Sequence, residues 1–351
     1  MALTPPAGDG SLAPSAAFTL AWRPFHLPLR RPLSTARGVL AGKRGWLLRL
    51  ETEAGALGWG EAAPLDGELA PLARALAALP EIQSRAELEA RLPALPPTIS
   101  FAIGAALAEL AGLPRGRWRP APAPALLLPP GEAALAGLVA AASERAPQVQ
   151  GLQTQGLHTQ WPHVKLHFKW KVAVAPEPLE RRVLEELLRQ LPPQARLRLD
   201  ANGGWDRDTA ARWAERLEGE PWLAWLEQPL AAEDHPGLEA LAKRFPALPI
   251  ALDESLGVQP ELRRSWRGWQ VRRPSQDGDP RPLLAALECH QPRWMLSTAF
   301  ETGIGARWLH HLAAVQLEGP TPAPPGLAPG WQPGDSPLLS AEPQVVWEAA
   351  G

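Results

Sequence analysis

Hydrophobic and polar positions change rhythm about a third of the way along the chain. From residue 16 to about 64 the apolar residues fall in extended runs, AAFTLAWRPFHLPL, RGWLLRLETEAG and ALGWGEAAPL, broken by Pro and Gly. Such runs predict strands, with a hairpin at Glu53-Ala54-Gly55, where Gly tolerates the awkward backbone angle. Three stretches with helical spacing follow, LAPLARALAALP, SRAELEARLPAL and ISFAIGAALAELAG, the last with Ser100 as its expected cap. Strands followed by helices predict an α+β module of roughly 110 residues, ending near residue 120. The proline-dense RGRWRPAPAPA (115–125) reads as a linker.

Beyond it, short apolar strands alternate with amphipathic helices. The strands are ALLL (125–128), HFKWKVAV (167–174), RLRLDAN (196–202), WLAWLEQ (222–228), PIALDES (249–255), WQVRR (269–273) and WMLSTAF (294–300). Helical segments such as PEPLERRVLEELLRQL (176–191) and GIGARWLHHLAAVQL (303–317) separate them. Seven β-then-α units predict an α/β fold over 121–318, a parallel sheet with helices outside, closed into a barrel. An open doubly wound sheet is the alternative, but no strand is followed by G-x-G-x-x-G or G-K-[ST]. The Gln- and His-rich 147–165 reads as a loop insertion, and residues 1–15 as a disordered N-terminus. In the tail, 319–351, prolines keep any eighth strand short.

Composition narrows the function. The formal charge of −2, with both signs interspersed, offers no track for a nucleic acid. No apolar run approaches the ~18 residues of a membrane span, and MALTPPAGDG lacks a signal core. The single cysteine, Cys289, fits a reducing, cytoplasmic setting. Oligomeric state stays open, a monomer being compatible with everything above. Of 35 basic residues only five are lysines, and three of these, Lys165, Lys169 and Lys171, fall within seven residues. Lysine can act as a base where arginine cannot.

The residues that end the strands carry the chemistry. They are Lys169 and Lys171, then Asp200, Glu227, Asp253 followed by Glu254, Arg273, and Ser297 with Thr298. The steps from Lys171 to Asp200, Glu227, Asp253, Arg273 and Ser297 are 29, 27, 26, 20 and 24 residues, each about one strand-plus-helix unit. C-terminal strand ends of a parallel barrel open on to one mouth, so three carboxylates converge there with a lysine pair to one side. Taken singly, each acid is explained by a helix cap or a loop charge. Their recurrence at one depth outweighs that explanation. Carboxylates crowded at one mouth repel unless a hard cation joins them, and Mg²⁺ suits an all-oxygen set, with Mn²⁺ able to replace it. No Cys/His spacing suggests zinc.

In this order, FKWKV (168–172), LRLDANGGW (197–205), WLEQPL (225–230), ALDES (251–255), R-P-S (273–275) and LSTAFETGIG (296–305) resemble the enolase superfamily, muconate-lactonizing-type subgroup. LLLPPGEAALAGL (126–138), the tryptophan of FKWKV, and LPLRRPLSTARG with GWGEAAPL resemble the o-succinylbenzoate synthase family within it. The resemblance implies that residues 16–120 are an α+β capping domain set against a modified TIM-type (β/α)7β barrel, with a loop at about 33–42 that closes over substrate and a tail that returns to the cap. It further implies Mg²⁺ on Asp200, Glu227 and Asp253, and dehydration of a small carboxylate, 2-succinyl-6-hydroxy-2,4-cyclohexadiene-1-carboxylate, to o-succinylbenzoate in menaquinone or phylloquinone synthesis. Superfamily sites pair a Lys or His base with Mg²⁺. By that likeness Lys171 is base and then acid, Lys169 contacts the carboxylate, Ser297 and Thr298 line the substrate, and Arg198, Asn202 and Glu254 support the site from behind.

One position departs from the family. Arg273 stands where lysine is usual, and an arginine cannot exchange a proton near neutral pH. It can lie over an unsaturated ring as a cation. That counts against a two-base dipeptide epimerase, the nearest alternative alongside a muconate-type cycloisomerase. Arg272 in the same slot leads to the same conclusion. An intact K-x-K pair argues against a non-catalytic metal-binding barrel.

Overall fold

The computed structural model describes residue 13 and residues 16–35, 38–141, 166–192 and 194–351. The 147–165 insertion and the first fifteen residues, apart from Ala13 itself, lie outside the described residues.

Four antiparallel strands form the first sheet, in the order β3-β2-β1-β4: β1 (Ala17–Thr35), β2 (Gly38–Thr52), β3 (Leu57–Ala62) and β4 (Ile82–Ser84). The expected turn is present. Gly55 has φ +80°, and Thr52 accepts its N–H at 2.9 Å. β4 carries no apolar rhythm of its own and is held by pairing with β1, Phe18 opposite Gln83. Of the stretch expected as a loop over about 33–42, the described residues 33–35 and 38–42 are strand, with Leu33 opposite Leu40 and Thr35 opposite Gly38, and a register shift between Pro28 and Leu33. Local cross-strand pairing prevails there over the proline and glycine breaks.

Helix Pro97–Leu110 joins the two halves of the molecule. It begins three residues before Ser100, with Pro at its first turn, so Ser100 is buried inside the helix and is not its cap. Proline fits that position because its missing N–H would have no intrahelical partner. Ile99, Ala102, Ile103, Ala106 and Leu107 pack on the first sheet. Phe101, Ala105 and Ala108, on the opposite face, meet Leu284, Trp308 and Leu312 of the barrel. A helix apolar all round is one buried on both sides. Gly58 and Gly60 of β3 permit this approach, since a Cβ on Gly60 would lie 2.0 Å from the Ala102 carbonyl oxygen.

Seven parallel strands make the second sheet: β5 (Leu126–Leu127), β6 (His167–Lys171), β7 (Arg196–Asp200), β8 (Leu223–Glu227), β9 (Ile250–Leu252), β10 (Trp269–Arg272) and β11 (Trp294–Leu296), adjacent in chain order. The eighth position is a single parallel bridge, Ser297 to Gly326. Gly326 donates to the Leu296 carbonyl and accepts from Thr298, while Pro325 accepts from Ala125 on the far edge, each at 2.9 Å. Prolines 322, 324 and 325 leave few N–H donors for a longer ladder. The 115–125 stretch is pinned at Trp118, whose ring meets Trp308 edge-on at 5.2 Å with the Arg307 guanidinium 5.0 Å away. The last turns bring Leu338, Val346 and Trp347 against Phe25, Leu27 and Trp59 of the first sheet.

Candidate active site

Parallel register and the two-residue side-chain period align the strand-end residues. Lys169 pairs in register with Arg198, and Lys171 with Asp200. Asp200 pairs with Glu227, and Glu227 with Ala251, two residues before Asp253. Side chains at i and i+2 of a strand share a face, so these groups point into one mouth. A cavity of about 780 Å³ opens there between the barrel and the first sheet, lined among others by Lys169, Lys171, Asp200, Asp253 and Arg273.

Two cations hold the three carboxylates. Lys169 Nζ lies 2.7 Å from both Asp200 Oδ2 and Glu227 Oε1. Arg273 grips Asp253 with both prongs, Nε to Oδ1 at 2.9 Å and Nη2 to Oδ2 at 2.6 Å, and its third nitrogen donates to the Thr298 carbonyl. Arg272 turns the other way, to Asp277, so Arg273 occupies the mouth. Asn202 donates its backbone N–H to Asp200 Oδ1 at 3.0 Å and its amide to Glu254 Oε1 at 3.0 Å. Arg198 is fully buried, with its guanidinium 4.1 Å from the Trp225 ring and donating to the Pro324 carbonyl beside the closing bridge. Trp225 in turn donates to Glu227 Oε2 at 3.1 Å, so the ring lies in contact with both Arg198 and Glu227. The Ser297 hydroxyl donates to the Gly326 carbonyl and the Thr298 hydroxyl to Glu301, so each has a partner within the wall of the cavity.

Charges here are strongly coupled. Burial opposes the ammonium of Lys169, but Asp200, Glu227 and Asp253 outweigh it and hold its pKa above the ordinary value. Burial lifts the Glu227 carboxyl, Asp200 and Asp253 add to the lift, and Lys169 opposes them. Asp200 is likewise opposed by burial, yet Lys169 and Lys171 hold it below the ordinary range. Glu254 is pushed up to about 8 by burial and then by Asp253 and Asp200. Like-charge crowding of this kind is relieved by a hard divalent cation, and the all-oxygen donor set fits Mg²⁺. As placed, with Lys169 and Arg273 between them, no three acidic, His or Cys side chains among the described residues are grouped to hold a metal ion.

Several strands leave the mouth through strained backbone. Ala173, Asn202, Gln228 and Phe300 follow β6, β7, β8 and β11 with φ of 62°, 44°, 39° and 63°. Non-glycine residues persist in this region only where their surroundings over-determine them. At Gln228 the reason is visible: its Oε1 accepts the N–H groups of Asp253 and Ser255, both at 3.1 Å, which fixes the loop carrying Asp253.

Comparison with known proteins agrees with this geometry. Residues 146–267 match the family described as enolase C-terminal domain-like. An o-succinylbenzoate synthase from Thermosynechococcus vestitus is 36% identical over 302 residues, covering 83% of this chain and 87% of that protein. The chain belongs to the o-succinylbenzoate synthase family. It is an enzyme, a lyase with the enolase-superfamily fold. The crystal structure of the o-succinylbenzoate synthase from Thermosynechococcus elongatus BP-1, complexed with Mg in the active site, matches with a TM-score of 0.74 at 32% identity, covering 94% of this chain and 99% of that one. An L-Ala-D/L-Glu epimerase from Bacillus subtilis shares the fold at 21% identity, TM-score 0.65, covering 92% of each chain.

Other residues of this family member reach the site although the sequence reading assigned them no role in it. Arg31 and Leu33 of β1 and Trp331 of the tail line the cavity from outside the barrel. Behind Thr298 lies a buried cluster, Lys43, Glu61 and Glu301, whose acids stand in the quoted GWGEAAPL and AFETG segments.

Proposed function

We propose that this enzyme dehydrates 2-succinyl-6-hydroxy-2,4-cyclohexadiene-1-carboxylate to o-succinylbenzoate in the cytoplasm, on the way to menaquinone or phylloquinone. The observation that carries the reading is the asymmetry of the mouth: lysines on β6, and opposite them an arginine after β10 clamped to Asp253. Asp200, Glu227 and Asp253 would hold Mg²⁺, or Mn²⁺ in its place. When bound, the ion supplies positive charge where the substrate carboxylate gains negative charge.

The proton to be removed lies α to that carboxylate and is weakly acidic. Lys171 takes it, and the C–H electron pair moves on to the carboxylate. Lys171 then returns the proton to the departing hydroxyl on the same face of the ring. The C–O bond breaks, water leaves and the ring becomes aromatic. Lys169, fixed between Asp200 and Glu227, faces the substrate carboxylate as a cation. Arg273 contributes positive charge without proton exchange, so the mouth lacks the second base that a two-base epimerase requires.

Asp253→Asn tests the ion site. Calorimetric titration with Mg²⁺ should show binding about 100-fold weaker than wild type, with turnover falling in parallel. A variant that keeps full activity in excess chelator contradicts the assignment.

A further inference from the structure

Two residues that the proposed chemistry does not use meet in the lining of the same cavity. Arg31 comes from β1, and Trp331 from the short 3₁₀ turn Pro329–Trp331 of the tail. The Arg31 guanidinium lies 4.0 Å from the Trp331 ring centroid, and a Cβ on Gly330 would come within 3.5 Å of its Nη2. Both side chains line the cavity that holds Lys169, Lys171 and Asp200. Stacking fixes the plane of a guanidinium while leaving its N–H edge available, the geometry that accepts a carboxylate with two hydrogen bonds. Among the described residues Arg31 makes no ion pair with an acid, in contrast to Arg273, Arg272 and Arg263, which are each matched to an aspartate. The Trp331 indole Nε1 is also buried without an acceptor.

We infer that Arg31, stacked on Trp331, is the specificity-determining group that receives the second, distal carboxylate of a dicarboxylate substrate. The inference rests on the dehydratase reading, in which one carboxylate of the substrate is held at the acids and the succinyl chain carries the other. The cavity then has two cationic poles with separate origins. The barrel builds the reacting pole, and the first sheet and the tail together build the recognition pole. Substrates with an uncharged chain would lose the second pole and keep the first.

The test compares o-succinylbenzoate with 2-butyrylbenzoate, which carries a methyl group where the distal carboxylate would be. Dissociation constants are measured by calorimetry in Mg²⁺ for wild type, Arg31→Met, Arg31→Lys and Trp331→Leu, alongside KM and kcat for the cyclohexadiene substrate. A charge-assisted pair of this kind is worth about 10- to 100-fold in affinity. Arg31→Met should weaken o-succinylbenzoate by that factor and leave 2-butyrylbenzoate within about twofold, with the catalytic loss falling in KM. Arg31→Lys should recover part of the difference, and Trp331→Leu should show the same selectivity at smaller amplitude. Equal affinity of Arg31→Met and wild type for o-succinylbenzoate overturns the inference, as does equal loss for both ligands. A wild-type enzyme that binds 2-butyrylbenzoate but does not turn over the cyclohexadiene overturns the dehydratase reading instead, and o-succinylbenzoate selectivity then still decides the role of Arg31.

Discussion

Lys171 and Arg273 carry the same charge at neutral pH and differ in what they can do with a proton. That difference defines the residue scale of the account. Lys171→Arg keeps the cation but removes the base, and should lower kcat by three orders of magnitude or more, because general acid–base catalysis is worth about 10²–10⁴ per step and this residue acts twice. Arg273→Lys keeps a cation but gives up the two-pronged grip on Asp253, so it should cost about tenfold and no more. Steady-state rates in saturating Mg²⁺, with solvent deuterium exchange at the α-carbon, separate the two, and equal inactivity of both variants contradicts the division of roles. The strand-end residues were legible in the sequence because each repeats at one strand-plus-helix interval and the two-residue period fixes its face. Arg31 and Trp331 were not, because their meeting depends on a tail that folds back from the end of the chain. The grip of Arg273 on Asp253 was not legible either, since its residue type told of charge and not of partner.

Among the elements, helix Pro97–Leu110 and strand β3 show how closely the first sheet is fitted to the barrel. The backbone of β3 runs against the helix at Gly58 and Gly60, where a methyl group would strike Ala106 and Ala102 carbonyl oxygens at 2.2 and 2.0 Å. Gly60→Ala should therefore destabilise the protein by about 1–3 kcal/mol through overpacking, read as a fall in the thermal midpoint. An unchanged midpoint would mean that the helix yields freely and that the two halves are loosely joined. The barrel strands were readable from alternation with helices. β4 and the bridge at Gly326 were not, since three residues or one carry no period and owe their place to a neighbouring strand. Ser100 misled because a good capping residue was available, while Pro97 had already set the first turn.

Across the whole molecule, a buried ionisable cluster ties the first sheet to the barrel behind the site. Glu61 Oε2 accepts the Thr302 N–H at 2.8 Å, the Thr302 hydroxyl at 2.6 Å and the Gly305 N–H at 3.3 Å, so a strand of the first sheet caps the barrel helix Gly303–Leu317. Burial and the neighbouring Glu301 push the Glu61 carboxyl from about 4.5 up to about 7, and burial draws Lys43 down to about 8. Between pH 4.5 and 7 the folded chain keeps a proton on Glu61 that the unfolded chain has lost, so stability from this group falls as pH rises through that window. Above pH 8 the folded chain releases the Lys43 proton before the unfolded one, so that group's contribution improves towards pH 10.5. Glu61→Gln should flatten the fall between pH 4.5 and 7 in denaturant titrations, and an unaltered slope would place the linkage elsewhere. The central claim is one-base dehydration at the barrel mouth, and a single ultraviolet assay addresses it most directly. Purified enzyme with Mg²⁺ is given the cyclohexadiene carboxylate, and in parallel a dipeptide whose α-carbon can be followed for epimerisation. The account predicts rapid, chelator-sensitive formation of o-succinylbenzoate and no comparable epimerisation. Epimerisation without dehydration would contradict it.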